Sequence, residues 1–145
     1  MTRFGRVARL TVALMTAAPV VAADAGVPAR IRILRGSRQG PPAVAPGLHD
    51  LAHQLSQVSY VRWDQAGETQ VTMEFRKPVT LQLPGGESVA VTLVESRGAT
   101  VTFEVLSPSS RTHSRITVQK DKRVVHQVTQ ERGGEAYFVT IRPWP

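Results

Sequence analysis

Residues 69–76 read T-Q-V-T-M-E-F-R and residues 100–106 read T-V-T-F-E-V-L. In the first stretch Val71, Met73 and Phe75 alternate with Thr72, Glu74 and Arg76; in the second Val101, Phe103 and Val105 alternate with Thr102 and Glu104. A period of two sends one set of side chains to one face of a pleated strand and the other set to the opposite face. Each stretch is therefore a strand with one buried and one wetted side. Working outward, the same period runs through residues 60–63, 78–83, 88–95, 114–119, 123–130 and 136–142. Residues 29–35, A-R-I-R-I-L-R, add an early strand in which Ile31 and Ile33 alternate with Arg30 and Arg32.

Four short punctuations separate the later strands: Pro84-Gly85-Gly86-Glu87, Arg97-Gly98-Ala99, Lys120-Asp121-Lys122 and Arg132-Gly133-Gly134-Glu135. All four read as hairpin turns, with Gly85-Gly86 and Gly133-Gly134 supplying positive φ rather than a phosphate cradle. Pro78 has no N–H to give a ladder and marks an edge or a bend. Leu48, Leu51, Ala52, Leu55 and Val58 fall at helical spacing behind Pro46, which predicts one packing helix over about residues 47–58. The fold class expected is mainly β (α+β): an antiparallel meander or β-sandwich of seven to nine strands, with that helix and the first strand closing one side.

The first 23 residues stand apart. Arg3, Arg6 and Arg9 form a basic leader without an acid, the run from Leu10 to Ala23 is apolar but for Thr11, Thr16 and Pro19, and Val21 and Ala23 occupy the small-residue positions before a cut at Asp24, which is favoured over a cut before Gly26 behind Ala23 and Ala25. This is the pattern of a signal peptide. It is shorter than the about 20 apolar residues that a spanning helix needs, so no membrane anchor is expected after cleavage. The expected organisation is a signal peptide, 1–23, followed by a single β-rich domain, 24–145, and the expected location is the periplasm or the outside of a bacterium.

Charge is affected by the same segment. The chain carries 18 Lys+Arg against 11 Asp+Glu, a net of +7, but removal of the three leader arginines leaves +4, an ordinary value for a soluble surface. The chain has no cysteine, which excludes disulfides, thiol nucleophiles, cysteine metal sites and lipid attachment through an N-terminal cysteine. A domain of this length buries enough surface to do without staples.

Chemical motifs are missing. There is no G-x-S-x-G, H-E-x-x-H, P-loop or dinucleotide fingerprint, so no catalytic residue and no cofactor is assigned, and an enzyme is not expected. His49 and His53, four apart on the helix, have a chelating spacing, but a third ligand would have to come from Asp50, His113 or His126, and no metal site is assigned. His126 lies between Val124 and Val128 at strand period and reads as an inward-facing residue. Asp64 and Glu68 flank a loop, while Glu74 and Glu104 lie on wet strand faces; nothing brings two carboxylates together as glycoside hydrolysis would need.

Two basic clusters offer a surface for anionic envelope polymers such as acidic polysaccharide: Arg30, Arg32, Arg35 and Arg38, and Arg111, Arg115, Lys120, Lys122 and Arg123. Tyr60, Trp63, Tyr137 and Trp144 are not interleaved with them, so nucleic acid is not an expected partner. The Pro/Gly-rich loop over residues 36–47 and an exposed sheet edge are the two surfaces suited to a protein partner. The order I-R-I-L-R, a Pro/Gly loop, L-H-D-L-A-H-Q-L, V-S-Y-V-R-W, V-T-L-Q-L-P-G-G-E-S-V-A-V-T and F-V-T-I-R-P resembles small exported proteins of myxobacteria and related groups. That resemblance implies the β-rich fold and the exported compartment and carries no site residue. The function expected is a non-enzymatic binding or structural module of the cell envelope, engaging an envelope or secreted protein; the alternatives are a binder of an anionic envelope polymer through the basic clusters, or a small hydrolase without a recognisable motif.

Overall fold

A computed structural model describes residues 26–107 and 111–144; the expected leader, 1–23, lies outside them. Nine strands form among the described residues: β1 Val27–Ser37, β2 Ala43–Val44, β3 Arg62–Met73, β4 Val79–Gln82, β5 Ser88–Arg97, β6 Thr100–Ser107, β7 Thr112–Gln119, β8 Val124–Gln127 and β9 Glu135–Pro143. They make a five-stranded sheet, β2-β3-β1-β9-β8, and a four-stranded sheet, β4-β5-β6-β7. The mainly β, sandwich-like class read from the alternation is therefore the observed one.

Alternation decides which side chain goes where. From β1, Val27, Ala29, Ile31 and Ile33 meet Val89, Val91 and Leu93 of β5, Val101, Phe103 and Val105 of β6, and Val139 and Ile141 of β9 in the core between the sheets. The even-numbered β1 residues face the other way, and Leu34 joins a second core with Trp63, Phe138, Tyr60 and the leucines of the helical segment. The large sheet is thus covered on both faces, by the small sheet and by a helical cap. Near the cap, Tyr60, Trp63 and Phe138 pack edge to face with ring centroids 4.8–6.0 Å apart. Gly36 passes directly beneath them: a Cβ there would stand 3.0 Å from the Trp63 ring and 3.1 Å from Phe138.

The cap differs from the expected helix. Pro46–Leu51 is a 3-10 helix and only α1, Ala52–Ser56, is α-helical, although Leu48, Leu51 and Leu55 are buried as their spacing required. One tether of the cap is ionic. Arg32 on β1 is 2% exposed and donates to both carboxylate oxygens of Asp50, at 3.1 and 2.7 Å. Arg123 Nε reaches the same carboxylate at 2.8 Å without hydrogen-bond alignment. The Arg32 hydrogen bonds hold the Asp50 carboxyl below the usual carboxylate range.

Three connections depart from the sequence reading. β1 does not close one side; it lies in the middle of the large sheet, paired with β3 and with β9. Residues 60–63 and 69–76 are not two strands, because β3 runs unbroken from Arg62 to Met73, with a register shift opposite Ile33 and Leu34 that leaves Ala66 as the extra residue. Lys120-Asp121-Lys122 is not a hairpin turn: it carries the chain from β7 in the small sheet to β8 in the large one. That corner is tied by Lys120 N–H to the Ala99 carbonyl at 2.7 Å and Asp121 N–H to the Pro143 carbonyl at 2.8 Å. The turns at residues 84–87, 97–99 and 132–135 do join antiparallel neighbours, and Pro78 directly precedes the edge strand β4.

Candidate functional site

Ile33 is the last β1 residue in the core between the sheets; Arg35 and Ser37, next on the same side, line an open cleft instead. That cleft, of about 340 Å3, is completed by Gln39 and Gly40 of the loop after β1, Arg62 and Asp64 of β3, and Glu135 of β9. A second cleft of about 220 Å3 lies between the β4–β5 turn (Pro84, Gly85, Glu87) and the β8–β9 region (Thr129, Gln130, Arg132, Tyr137), and Glu135 lines it too. The two share Glu135 and form one uneven surface, polar in the first cleft and mixed polar and apolar in the second.

Local sequence explains why this end is built as it is. In the β8–β9 turn Gly133 and Gly134 have φ of 60° and 78°, the double positive φ that closes a two-residue hairpin, and Arg132 and Glu135 exchange backbone hydrogen bonds at 2.8 and 3.1 Å. The loop after β1 is fastened to that turn through the Arg38 N–H to the Gly134 carbonyl at 2.8 Å. The Arg38 side chain adds an ion pair with Glu131, a hydrogen bond to the Ser59 carbonyl at 3.0 Å, and a position 4.5 Å from the centre of the Tyr60 ring. Turns anchored on two packed sheets hold the cleft walls in place.

The electrostatics are of mixed sign. Arg35 pairs with Asp64 at 3.3 Å, which keeps the guanidinium protonated, and Arg132 lies 3.6 Å from Glu87. Arg62 and Glu135 line the same cleft, and neither is in an ion pair among the described residues. Ser37 Oγ is turned toward Gln39, accepting its N–H at 3.2 Å. None of the four histidines lines either cleft. The arrangement can hydrogen-bond and match charge on a polar partner; it does not place an imidazole beside a hydroxyl.

The residues singled out in the sequence are dispersed. Arg30 pairs with Glu68, Arg32 with Asp50, Arg35 with Asp64 and Arg38 with Glu131, so the first basic cluster is neutralised one acid at a time. From the second, Arg115 pairs with Glu104, and Arg123 belongs to the cap tether rather than to a basic face. His49 and His53 lie on the exposed side of the cap, with His53 Nε2 3.4 Å from the Gln57 amide, and His113 stands 3.4 Å from Glu104. His126 faces the core side opposite Val139 and is half-buried, and burial lowers its pKa. Glu74 pairs with Lys77, and Trp144 lies under the Arg142 guanidinium at 5.5 Å.

Among the described residues no three His, Asp or Glu side chains converge as metal ligands, and no helix is long and apolar enough to cross a membrane. Arg62, Glu87, Arg132 and Glu135 were not flagged by the sequence; the one available signal was the length of the 36–47 loop, which supplies Gln39 and Gly40 to the cleft. No protein-family model, curated protein or solved structure matches this chain.

Proposed function

We propose that this chain is an exported, non-enzymatic binding module of the bacterial envelope, acting in the periplasm or outside the cell after loss of residues 1–23. Its partner is another envelope or secreted protein, bound at the open end of the sandwich. The observation that supports this reading is the pair of adjoining clefts sharing Glu135, one polar and one mixed, walled by three anchored segments and carrying Arg62 and Glu135 outside any ion pair among the described residues. A surface that presents charges of both signs is matched to the mixed polar rim of a protein rather than to a polyanion. Neutralisation of Arg30, Arg32, Arg35 and Arg38 weighs against an anionic polymer at the first basic cluster.

The test is affinity capture of the mature chain from its native envelope, comparing wild type with an Arg62→Glu, Arg132→Glu variant of unchanged thermal stability. A protein retained by the wild type and lost with the variant supports the reading. The same proteins retained by both would refute it. Export is checked separately by fusing residues 1–23 to a periplasm-dependent reporter, with Arg3, Arg6 and Arg9 replaced by Glu as the control expected to stay inside.

A further inference from the structure

Each sheet ends in two edge strands, and they are not equally protected. In the large sheet β2 is two residues long and β8 four, and β3, whose outer side β2 covers only at Arg62 and Trp63, carries a bulge at Ala66 beside Asp64 and Glu68. In the small sheet β4 is four residues long and follows Pro78. Short length, bulges, proline and charge are the devices by which edges are closed to further pairing. β7 has none of the first three: it runs for eight residues, Thr112–Gln119, pairs with β6 without a register shift, contains neither Pro nor Gly, and among the described residues has no strand on its other side.

Charge at β7 is arranged by position. Within residues 113–119 the one permanent cation is Arg115, and Glu104 on β6 neutralises it at 3.1 Å. Arg111 stands before the strand and Lys120 and Lys122 just after it, and none of these three is in an ion pair among the described residues. A second copy of this chain laid along β7, parallel or antiparallel, would bring cations against cations at both ends. That disfavours self-pairing, even with Asp121 between the two lysines, and favours a strand with acids at its ends.

We propose that β7 accepts an extended segment of a partner protein by strand addition, about seven residues long, β-prone at its centre and acidic at its ends. The ladder hydrogen bonds supply affinity, and Arg111, Lys120 and Lys122 supply orientation and choice. This surface is separate from the clefts and does not depend on the reading given to them.

The probe is a fluorescent nine-residue peptide with Glu-Glu at each end and a Thr/Val centre, titrated into the mature chain by anisotropy with amide NMR mapping. Two further peptides are N-methylated at odd or at even positions, and one carries Lys in place of Glu. The acidic peptide is expected to bind with shifts centred on residues 113–119. One methylation parity should lose at least about tenfold in affinity while the other binds, because only alternate amides face the edge. Lys120→Glu with Lys122→Glu, the first half-buried and the second exposed, should weaken binding about tenfold, and the Lys peptide should not bind. Equal binding by both methylated peptides, undiminished binding by the Lys peptide, binding of alginate as tight as that of the acidic peptide, or no binding by any peptide would each overturn the proposal.

Discussion

Replacing Asp50 by Ala tests whether the ionic tether holds the cap. Arg32 is 2% exposed and rests on both oxygens of Asp50, so truncation leaves a buried guanidinium without its counter-ion. Breaking such a pair costs about 3–5 kcal/mol when both partners are fully buried. The Asp50 side chain is 32% exposed, so water reaches the vacated position, and the lower figure of about 2–3 kcal/mol applies. For a domain of this size that corresponds to a fall in Tm of about 10 °C. The assay is urea and thermal unfolding followed by circular dichroism and tryptophan fluorescence, with Arg32→Met, Asp50→Leu and their double variant closing a cycle beside Asp50→Ala. The double variant should recover part of the loss, since an apolar pair removes the stranded Arg32 charge while Arg123 still loses its partner. A cost under about 0.5 kcal/mol for Asp50→Ala, or strictly additive single losses, would refute the reasoning. Asp50 titrates below its ordinary value of 3.8 in the folded chain, so its contribution is complete above that pH and is lost as the pH falls through the folded value. Asp50→Asn should therefore flatten the acid limb of the stability curve.

Gly36→Ala places a methyl against two rings at 3.0–3.1 Å and should cost about 1–3 kcal/mol with a shift in Trp63 emission; an unchanged midpoint in urea would show that the rings move freely. Leu51→Ala empties a fully buried position under the cap and should cost about 2–5 kcal/mol by the same measurement, against no more than a few tenths for His53→Ala on the exposed side. Burial lowers the His126 pKa below 6.5, so the unfolded chain takes up the proton first on acidification; the contribution is full above 6.5 and lost as the pH falls below it. His126→Gln should remove that slope on the acid side of 6.5, and a slope retained in the variant would assign it elsewhere.

Strand identity was legible because it depends on neighbours two residues apart, as Val71 and Met73 or Val101, Phe103 and Val105 show. The unity of β3 was not. Between Trp63 and Thr69 the chain leaves the core, so residues 64–68 carry no large apolar side chain, and a bulge at Ala66 breaks the period that would have joined the two halves. Turn residues likewise report that the chain bends, not where it goes next, which is why Lys120-Asp121-Lys122 resembled a hairpin while crossing between sheets. The helical spacing located Leu48, Leu51 and Leu55 correctly, but spacing alone does not separate an α-helix from a 3-10 start. Least legible were the charges. Arg38 and Glu131 lie 93 residues apart in sequence, and a run of arginines that reads as a basic patch becomes a set of separate pairs once the sheet supplies an acid to each.

The open end of the sandwich as the binding surface is tested most directly by in-cell photocrosslinking, with a benzoylphenylalanine placed singly at Gln39, Gln130, Thr80 or Gln82. Gln39 and Gln130 line the clefts, while Thr80 and Gln82 are exposed on the edge strand β4. A discrete protein adduct formed from Gln39 and Gln130 and not from Thr80 or Gln82 is the result expected. Adducts of equal yield from all four positions, or from the β4 positions alone, would contradict it.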